Sequence, residues 1–391
     1  KFLQKIFKII SYSIFSKIYG KVEKSININS DERIKVKVVN EEKDLSYKIY
    51  NILGGRLYTD RIHDTAILLD NKIIDGPSFQ LRRAHDLKIH NSKIENNLVF
   101  KKGTPRKLRN LNGTVLSLLT GGAGNHNYWH WLFDVLPRFG LCSKSTDLDG
   151  IDYFLLPSLL KNFQRETLDC LNIPAHKRIS SEKFRHVKAK NLIVTDHPVV
   201  TTGNTNTDIQ NIPKWIMLWL KKNFINQNTN SNKKRIYIDR DEDTSNPSFK
   251  RMITNEKEVK KCLLDNNFSI IKFHEIDFKQ QVELFNNAEC VVGLHGGGFA
   301  NIVFCKPGTK VVELRNSSAG PVIGNLAKKN NLNYKSIIIG KENLTESKSI
   351  VTEDIKGQTL SLSIEVNKYD FAHQQGHIEI PISSLSKLLE N

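Results

Sequence analysis

The chain has 391 residues, 39% hydrophobic and 25% charged, enough to bury the cores of about two domains and too apolar to be disordered by composition. Its 58 Lys and Arg against 41 Asp and Glu leave a formal charge of +17, which favours anionic partners of any kind. The basic residues are dispersed, with no run of five or more and no nucleic-acid-binding motif, so no nucleic acid partner is expected.

Residues 1–24 place Phe2, Ile6, Ile9, Ile10, Phe15 and Ile18 at helical spacing among Lys5, Lys8 and Lys17. The pattern suits a basic amphipathic helix in peripheral contact with an anionic membrane, and equally a first helix packed on its own domain. Lysines interrupt the apolar stretch and no small-residue cleavage site follows, a poor fit to a secretory signal. No apolar run reaches the roughly 18 residues that span a bilayer. Five cysteines (Cys142, Cys170, Cys262, Cys290, Cys305) form no CxxC and no metal-spaced pair with histidine. Their hydrophobic surroundings read as free thiols of a reducing compartment. The expected location is cytoplasmic, peripheral at the inner face of the cell membrane.

From residue 34 to about 120 the pattern is one of short strands and turns: Ile34–Val39, Thr65–Leu69, Leu98–Phe100 and Thr114–Leu119. A helix is expected over Trp129–Cys142, a strand at Asp152–Leu156, a helix at Phe163–Leu171 and a strand at Asn191–Thr195. Pro213–Phe224 reads as a connecting helix with proline in its first turn. The polar stretch Asn226–Lys233 reads as a domain boundary. Beyond it strands (Arg235–Asp239, Ser269–Lys272, Cys290–Leu294, Lys310–Leu314) alternate with helices (Glu256–Asn266, Phe278–Asn287, Gly297–Phe304). Such alternation specifies a parallel sheet in an α/β fold. The expected domains are 1–30, a basic amphipathic segment; 31–225, an α/β domain; 226–365, a Rossmann-like domain; and 366–391, a tail packing back on the first domain.

Ligands of parallel sheets sit at the carboxyl ends of the strands, which points to Leu294-His295-Gly296-Gly297-Gly298. Glycines let backbone N–H groups approach a phosphate, and a helix start adds partial positive charge. The same glycines would also serve a tight strand–helix turn. Arg240 and Arg251 flank a polar loop, and guanidinium forks suit phosphate oxygens, although surface ion pairs would use them equally well. Asp241-Glu242-Asp243 in that loop reads as a solvated acidic run rather than a metal site.

A second constellation follows Gly121-Gly122-Ala123-Gly124. If the chain is helical from His126, then His126, His130 and Asp134 are spaced by four on one face. A carboxylate beside an imidazole suits a general base acting on a hydroxyl, with Asp134 as base and the histidines orienting it. The trio also suits a metal ion, or buried polar residues satisfied beneath aromatic packing. Arg138 is spaced to pair with Asp134. Asn125, Asn127 and Trp131 accompany this face.

The stretch Asn125-His126-Asn127-Tyr128-Trp129-His130-Trp131-Leu132-Phe133-Asp134-Val135-Leu136-Pro137-Arg138 resembles glycosyltransferase family 61. So do Arg235 to Arg240, Asn255-Glu256, Gln281 to Glu289, Val292 to Asn301, Pro307-Gly308-Thr309 and Val312-Glu313-Leu314, in the family's order over about residues 110–315. Phe299 departs from the small or aliphatic residue expected after the glycines. The resemblance implies a GT-B-like fold, two Rossmann-like domains facing a cleft, and inversion at the anomeric carbon. It also implies a nucleotide-sugar donor held mainly by the second domain, and bacterial members of the family often serve capsular or surface polysaccharide biosynthesis.

The combined expectation is transfer of a hexosyl or pentosyl group from a nucleotide sugar, UDP-linked, to a hydroxyl of a glycan acceptor. Asp134, His130 and His126 would carry catalysis. His295, Gly296, Gly297, Gly298, Asn301, Arg240 and Arg251 would hold the donor diphosphate, and Glu313 its ribose. Asn125, Asn127 and Trp131 would line the acceptor side. No cofactor and no divalent metal are expected. Two alternatives remain open at this level: a metal-dependent phosphotransferase or hydrolase using the His126/His130/Asp134 face, and a non-catalytic protein binding polysaccharide or anionic lipid.

Overall fold

The computed structural model describes residues 2–23, 31–59, 65–78, 94–97, 99–119, 126–203, 205–226, 233–240, 252–317, 319–339, 344–345 and 377–390. The chain divides into two compact units, Lys1–Ile209 and Gln210–Asn391.

Unit 1 opens with helix α1 (Phe2–Tyr19). Five strands follow, β1 (Ile34–Glu42), β2 (Leu45–Leu53), β3 (Arg56–Thr59), β4 (Thr65–Leu69) and β5 (Lys72–Ile73). β1 pairs antiparallel with β2, and β3 with β4 and β4 with β5, because the links are hairpins too short for a crossover. The β4–β5 turn is closed by Asp70 at φ 49°, a left-handed conformation that a short polar side chain tolerates. The parallel part is β6 (Arg109–Ser117), β7 (Tyr153–Leu156), β8 (Arg178–Ser180) and β9 (His186–Thr195), in the order β9-β6-β7-β8. β2 and β3 both join the free edge of β9 in antiparallel sense, making one mixed sheet of nine strands. A wholly parallel Rossmann pattern is thus confined to the second half of this unit. The strand expected at Leu98–Phe100 is instead a short helix, α2 (Val99–Lys102). Three apolar residues set no period that separates helix from strand.

Between β6 and β7 runs α3, in three consecutive segments: Tyr128–His130, Trp131–Val135 and Leu136–Ser143. The middle segment is a π turn, with the Leu136 N–H reaching back to the Trp131 carbonyl. Pro137 follows at once; it has no N–H to give, and its ring presses on the carbonyl one turn back, which a widened turn relieves. The helix starts at Tyr128 because the Asn127 side chain caps it, accepting from Trp129 N at 2.9 Å. α4 (Asn162–Cys170) then packs beside it, and Trp131 Nε1 donates to Thr167 Oγ1 at 2.8 Å.

Unit 2 starts with α5 (Lys214–Phe224), whose Trp215, Ile216, Met217 and Leu220 are buried. The helix belongs to this unit because Phe224 and Phe278 meet edge to face at 5.0 Å and Lys221 Nζ donates to Asn330 at 2.6 Å. The division therefore falls before α5 rather than at the polar stretch after it. The strands are β10 (Lys234–Asp239), β11 (Phe268–Lys272), β12 (Ala288–Leu294), β13 (Lys310–Asn316) and β14 (Asn333–Ile339). Every neighbour pair is parallel and the order is β11-β10-β12-β13-β14, a doubly wound arrangement whose switch point lies between β10 and β12. The crossovers include α6 (Glu256–Asp265), α7 (Phe278–Asn286), a 3-10 helix (Gly297–Phe304) and α8 (Val322–Lys329). The last helix, α9 (Ile382–Glu390), inserts Leu385 and Leu389 into the core beside Val259, Leu263 and Ile337. The carboxyl-terminal helix thus completes unit 2 and is not a tail on the first domain; its apolar stripe is buried here.

His186 of β9 lies buried between the rings of Tyr19 and Tyr58, and Nδ1 donates to the Arg106 carbonyl at 2.8 Å. Burial pushes its pKa down from 6.5 to about 4. The unfolded chain therefore binds a proton that the folded chain refuses between those values, so stability is present above pH 6.5 and falls as the pH drops toward 4. The expected slope from this residue is about 1.4 kcal/mol per pH unit in that window. Urea denaturation of the full chain across the window should show His186→Gln flattening the slope by that amount; an unaltered slope would exonerate this histidine.

Candidate active site

Each unit brings one histidine and one buried carboxylate together at the carboxyl end of its parallel strands. In unit 1, α3 is buried from Trp131 to Cys142, and within that stretch lie two charged side chains, Asp134 and Arg138. The Asp134 carboxylate accepts from His130 Nδ1 at 2.5 Å; its side chain is 7% exposed and that of His130 26%. Burial raises the Asp134 pKa, but the opposing charge and hydrogen bond of His130, with help from His197 and Arg138, hold it below the ordinary carboxylate value. Arg138 does not bridge to the carboxylate as the spacing suggests. Its Nε donates to the Asp134 backbone carbonyl at 3.2 Å, and Nη1 to Thr195 O and Oγ1 and to Asp196 O. The guanidinium so ties α3 to the end of β9, and burial lowers its pKa to about 10.

His197, beyond the end of β9, is the residue here that sequence reasoning missed. It is buried, and its Nδ1 accepts the N–H groups of Val199 and Val200 at 3.2 Å each. Two donors on Nδ1 leave Nε2 as the protonated nitrogen of a neutral ring. Burial lowers its pKa to about 3, against the pull of Asp134. Nothing in a single His-Pro pair announces this; the loop is drawn in because Asp196 accepts from Tyr50 OH and Lys48 N, both at 2.8 Å.

Two further expectations in this unit change. His126 precedes the Asn127 cap and is outside the helix, so it does not share a helical face with His130 and Asp134. Trp131 is buried and spent on Thr167, so it supports α4 and faces no acceptor. Asn125 lies outside the described residues, as do Arg251 and the Asp241–Asp243 loop.

In unit 2 the corresponding group sits at the switch point. His295, one residue past β12, is buried, with Nδ1 hydrogen-bonded to Glu313 Oε1, and the other oxygen of Glu313 accepts from Tyr334 OH. Glu313 is fully buried and both oxygens are engaged, so it orients His295 and does not reach for a ribose. Arg240, following β10, donates from Nη1 to the His295 carbonyl at 3.2 Å. Its guanidinium also lies over Gly296, where a Cβ would stand 3.2 Å from Cζ. Gly296 caps the 3-10 helix, whose first N–H groups have no partner within the helix. Asn301 is wholly buried and donates to Gln281 at 3.1 Å, which joins the 3-10 helix to α7.

The glycines divide by task. A Cβ on Gly298 would meet Phe273 at 2.8 Å and Ile238 at 3.1 Å, and one on Gly293 would meet Ile238 and Phe299. These two are required by packing, and Gly293 is what admits the buried Phe299 ring after the triplet. Gly296 alone faces a movable charged side chain. Among the described residues no three His, Cys, Asp or Glu side chains are arranged to hold a metal ion. All five cysteines are free thiols, and burial raises Cys142 to about 12 and Cys290 to about 11.

Gly298→Ala is expected to cost about 1–3 kcal/mol of stability by overpacking Phe273. Gly296→Ala, pressing on the Arg240 side chain, should remain within about 1 kcal/mol of wild type in the same urea titration. Equal losses at the two positions would show that the turn is rigid throughout.

No curated protein matches the chain. The profile of the family described as Glycosyltransferase 61 matches residues 128–312, from the first turn of α3 into β13. That span contains His130, Asp134, His197, Arg240, His295 and the glycine triplet. The chain thus carries a glycosyltransferase family 61 domain over those residues.

Proposed function

We propose that the enzyme is an inverting glycosyltransferase that moves a sugar from a nucleotide-sugar donor, UDP-linked, to a hydroxyl of a glycan acceptor in surface polysaccharide synthesis. The observation that carries the mechanism is the His130–Asp134 contact with its unequal exposure. The ionised carboxylate is the inner member and the imidazole the outer one. His130 is therefore the proton acceptor, with Asp134 holding the Nδ1–H tautomer and balancing the charge that arrives with the proton. This exchanges the roles that spacing alone suggested. His197, a buried neutral ring that interacts electrostatically with Asp134, is assigned no proton transfer.

The acceptor oxygen attacks the anomeric carbon as His130 removes its proton, and the bond to the diphosphate breaks in the same displacement, which inverts the configuration. Charge growing on the leaving diphosphate is met by the first N–H groups of the 3-10 helix, by Arg240 and by His295. That set supplies positive charge without a divalent ion. Hexosyl and pentosyl donors fit this chemistry equally. A metal-dependent phosphotransferase built on His126, His130 and Asp134 is disfavoured, since His130 and Asp134 bond each other and His126 is off their helix.

His130→Ala should lower kcat by about 10²–10⁴, the usual worth of a general base. Added imidazole should restore part of it, and His130→Ala/Asp134→Asn should be little worse than His130→Ala alone. Near-normal turnover in His130→Ala with an inactive Asp134→Asn would return the base to Asp134.

We further place the enzyme on the cytoplasmic side, at an anionic membrane surface. α1 has two apolar faces. One is fixed to unit 1 through Tyr19, which stacks on Phe15, meets His186 and accepts from Leu108 N at 2.8 Å. The other exposes Phe7, Ile10, Ile14 and Ile18 in one stripe, Phe7 to 70%. No described helix is long and apolar enough to cross a membrane. Such a stripe on a chain of charge +17 suits insertion among acidic headgroups. Phe7→Asp/Ile14→Asp should reduce co-sedimentation with phosphatidylglycerol vesicles about tenfold or more, leaving the urea midpoint unchanged. Equal sedimentation of variant and wild type would remove α1 from the membrane.

A further inference from the structure

Unit 2 has a second polar concavity, away from the switch point. A cavity of about 570 Å³ opens between α8 and β14, lined by Arg315, Asn325, Lys328, Asn333, Tyr334 and Ser336 among others. Two of its lining side chains are cationic and none is a carboxylate. Arg315 spends Nη1 on the carbonyls of Ala319 and Gly320, at 2.7 and 3.0 Å, while its buried Nε has no acceptor among the described residues. With its hydrogen bonds there made from Nη1, the guanidinium retains donor capacity that suits an anion in the cavity it lines. The amides of Asn325 and Asn333 and the Ser336 hydroxyl add neutral hydrogen-bonding groups for an organic portion.

The cavity is linked to His295 through two side chains. The Tyr334 ring forms part of its wall, and its hydroxyl donates to the same Glu313 that holds His295. Gly324, inside α8, gives up about 1 kcal/mol of helix propensity relative to alanine. The reason is steric: a Cβ there would stand 3.1 and 3.2 Å from atoms of the Tyr334 ring. Any ligand that moves this ring must move Glu313 or lose the hydrogen bond.

We propose that this cavity binds a phosphate monoester, with Arg315 and Lys328 on the phosphate, and that occupancy is relayed through Tyr334 and Glu313 to His295. The relay rests on the reading of His295 as a diphosphate-binding group; the cavity does not. The site differs from the donor turn, since Arg240 and Gly296 lie between β10 and β12 and the cavity lies beyond β13 at the β14 edge.

Isothermal titration of the full chain with glucose 1-phosphate, uridine 5′-monophosphate and inorganic phosphate tests both parts. An ester should bind more tightly than inorganic phosphate, and the tighter of the two esters identifies whether a sugar or a nucleoside carries the phosphate. Lys328→Glu should weaken it about tenfold or more, and Arg240→Gln less than about twofold. Binding that responds to Arg240→Gln and not to Lys328→Glu would put the ester on the donor turn, overturning the cavity and leaving the donor reading intact. No binding to any probe, or equal binding of all three, also overturns it. For the relay, a saturating ester should shift the affinity for UDP about threefold or more in wild type, and not in Tyr334→Phe, which keeps ester binding. A constant UDP affinity in wild type overturns the relay. Failure of UDP to bind sinks the donor reading and the relay together, while Lys328→Glu still decides the cavity.

Discussion

A carboxylate removed from water must be paired, and Asp134 imposes that requirement on the middle of a helix whose other buried residues, Arg138 apart, are apolar. His130 meets the carboxylate from one turn back, and Arg138 takes the backbone carbonyl of the same residue. Arg138 in turn needs acceptors, and finds them at Thr195 and Asp196 where β9 ends. One buried charge therefore determines how α3 is seated against the sheet, and why the loop carrying His197 is folded in beside it. The π turn ahead of Pro137 belongs to the same arrangement, since it adjusts the angular relation of His130 and Asp134 along the helix.

Unit 2 repeats the chemistry with different parts. His295 and Glu313 come from adjacent parallel strands rather than from one helix, and Tyr334 from the next strand closes the set. Lateral neighbours in a sheet are held by the ladder, so this imidazole is less free to swing than His130, whose side chain is partly exposed. The contrast fits the division of labour proposed: a fixed group for stabilising a leaving anion, and a more accessible one for accepting a proton.

The glycine-rich turn shows how a motif combines two demands. Gly293 and Gly298 are there because Ile238, Phe273 and Phe299 occupy the space a side chain would need. Gly296 has an extended backbone that any residue adopts, and its distinction is the Arg240 guanidinium lying across it. Packing glycines bring the strand and the 3-10 helix close enough for Gly296 to present backbone and guanidinium side by side.

The amino-acid order by itself determined the alternation of β10 to β13 with their helices, the α/β class and the two stretches around Asp134 and His295, since these depend on local period and on glycine and proline chemistry. The capping of α3 was also legible in principle, because Asn127 is followed by a helical apolar run, yet the spacing of His126 obscured it. Several elements were not legible. β2 and β3 are held by β9, far along the chain, and β14 and α9 carry no motif, Ile337, Leu385 and Leu389 acquiring meaning only against Val259 and Leu263. Tertiary structure alone decided that His197 stands near Asp134, that Tyr334 and Glu313 hold His295, and that Trp131, Asn301 and Glu313 are internal supports. Residue type and spacing state which groups are able to ionise or hydrogen-bond; which of them keeps access to solvent depends on contacts between distant segments, and that access separates a proton acceptor from the residue that orients it.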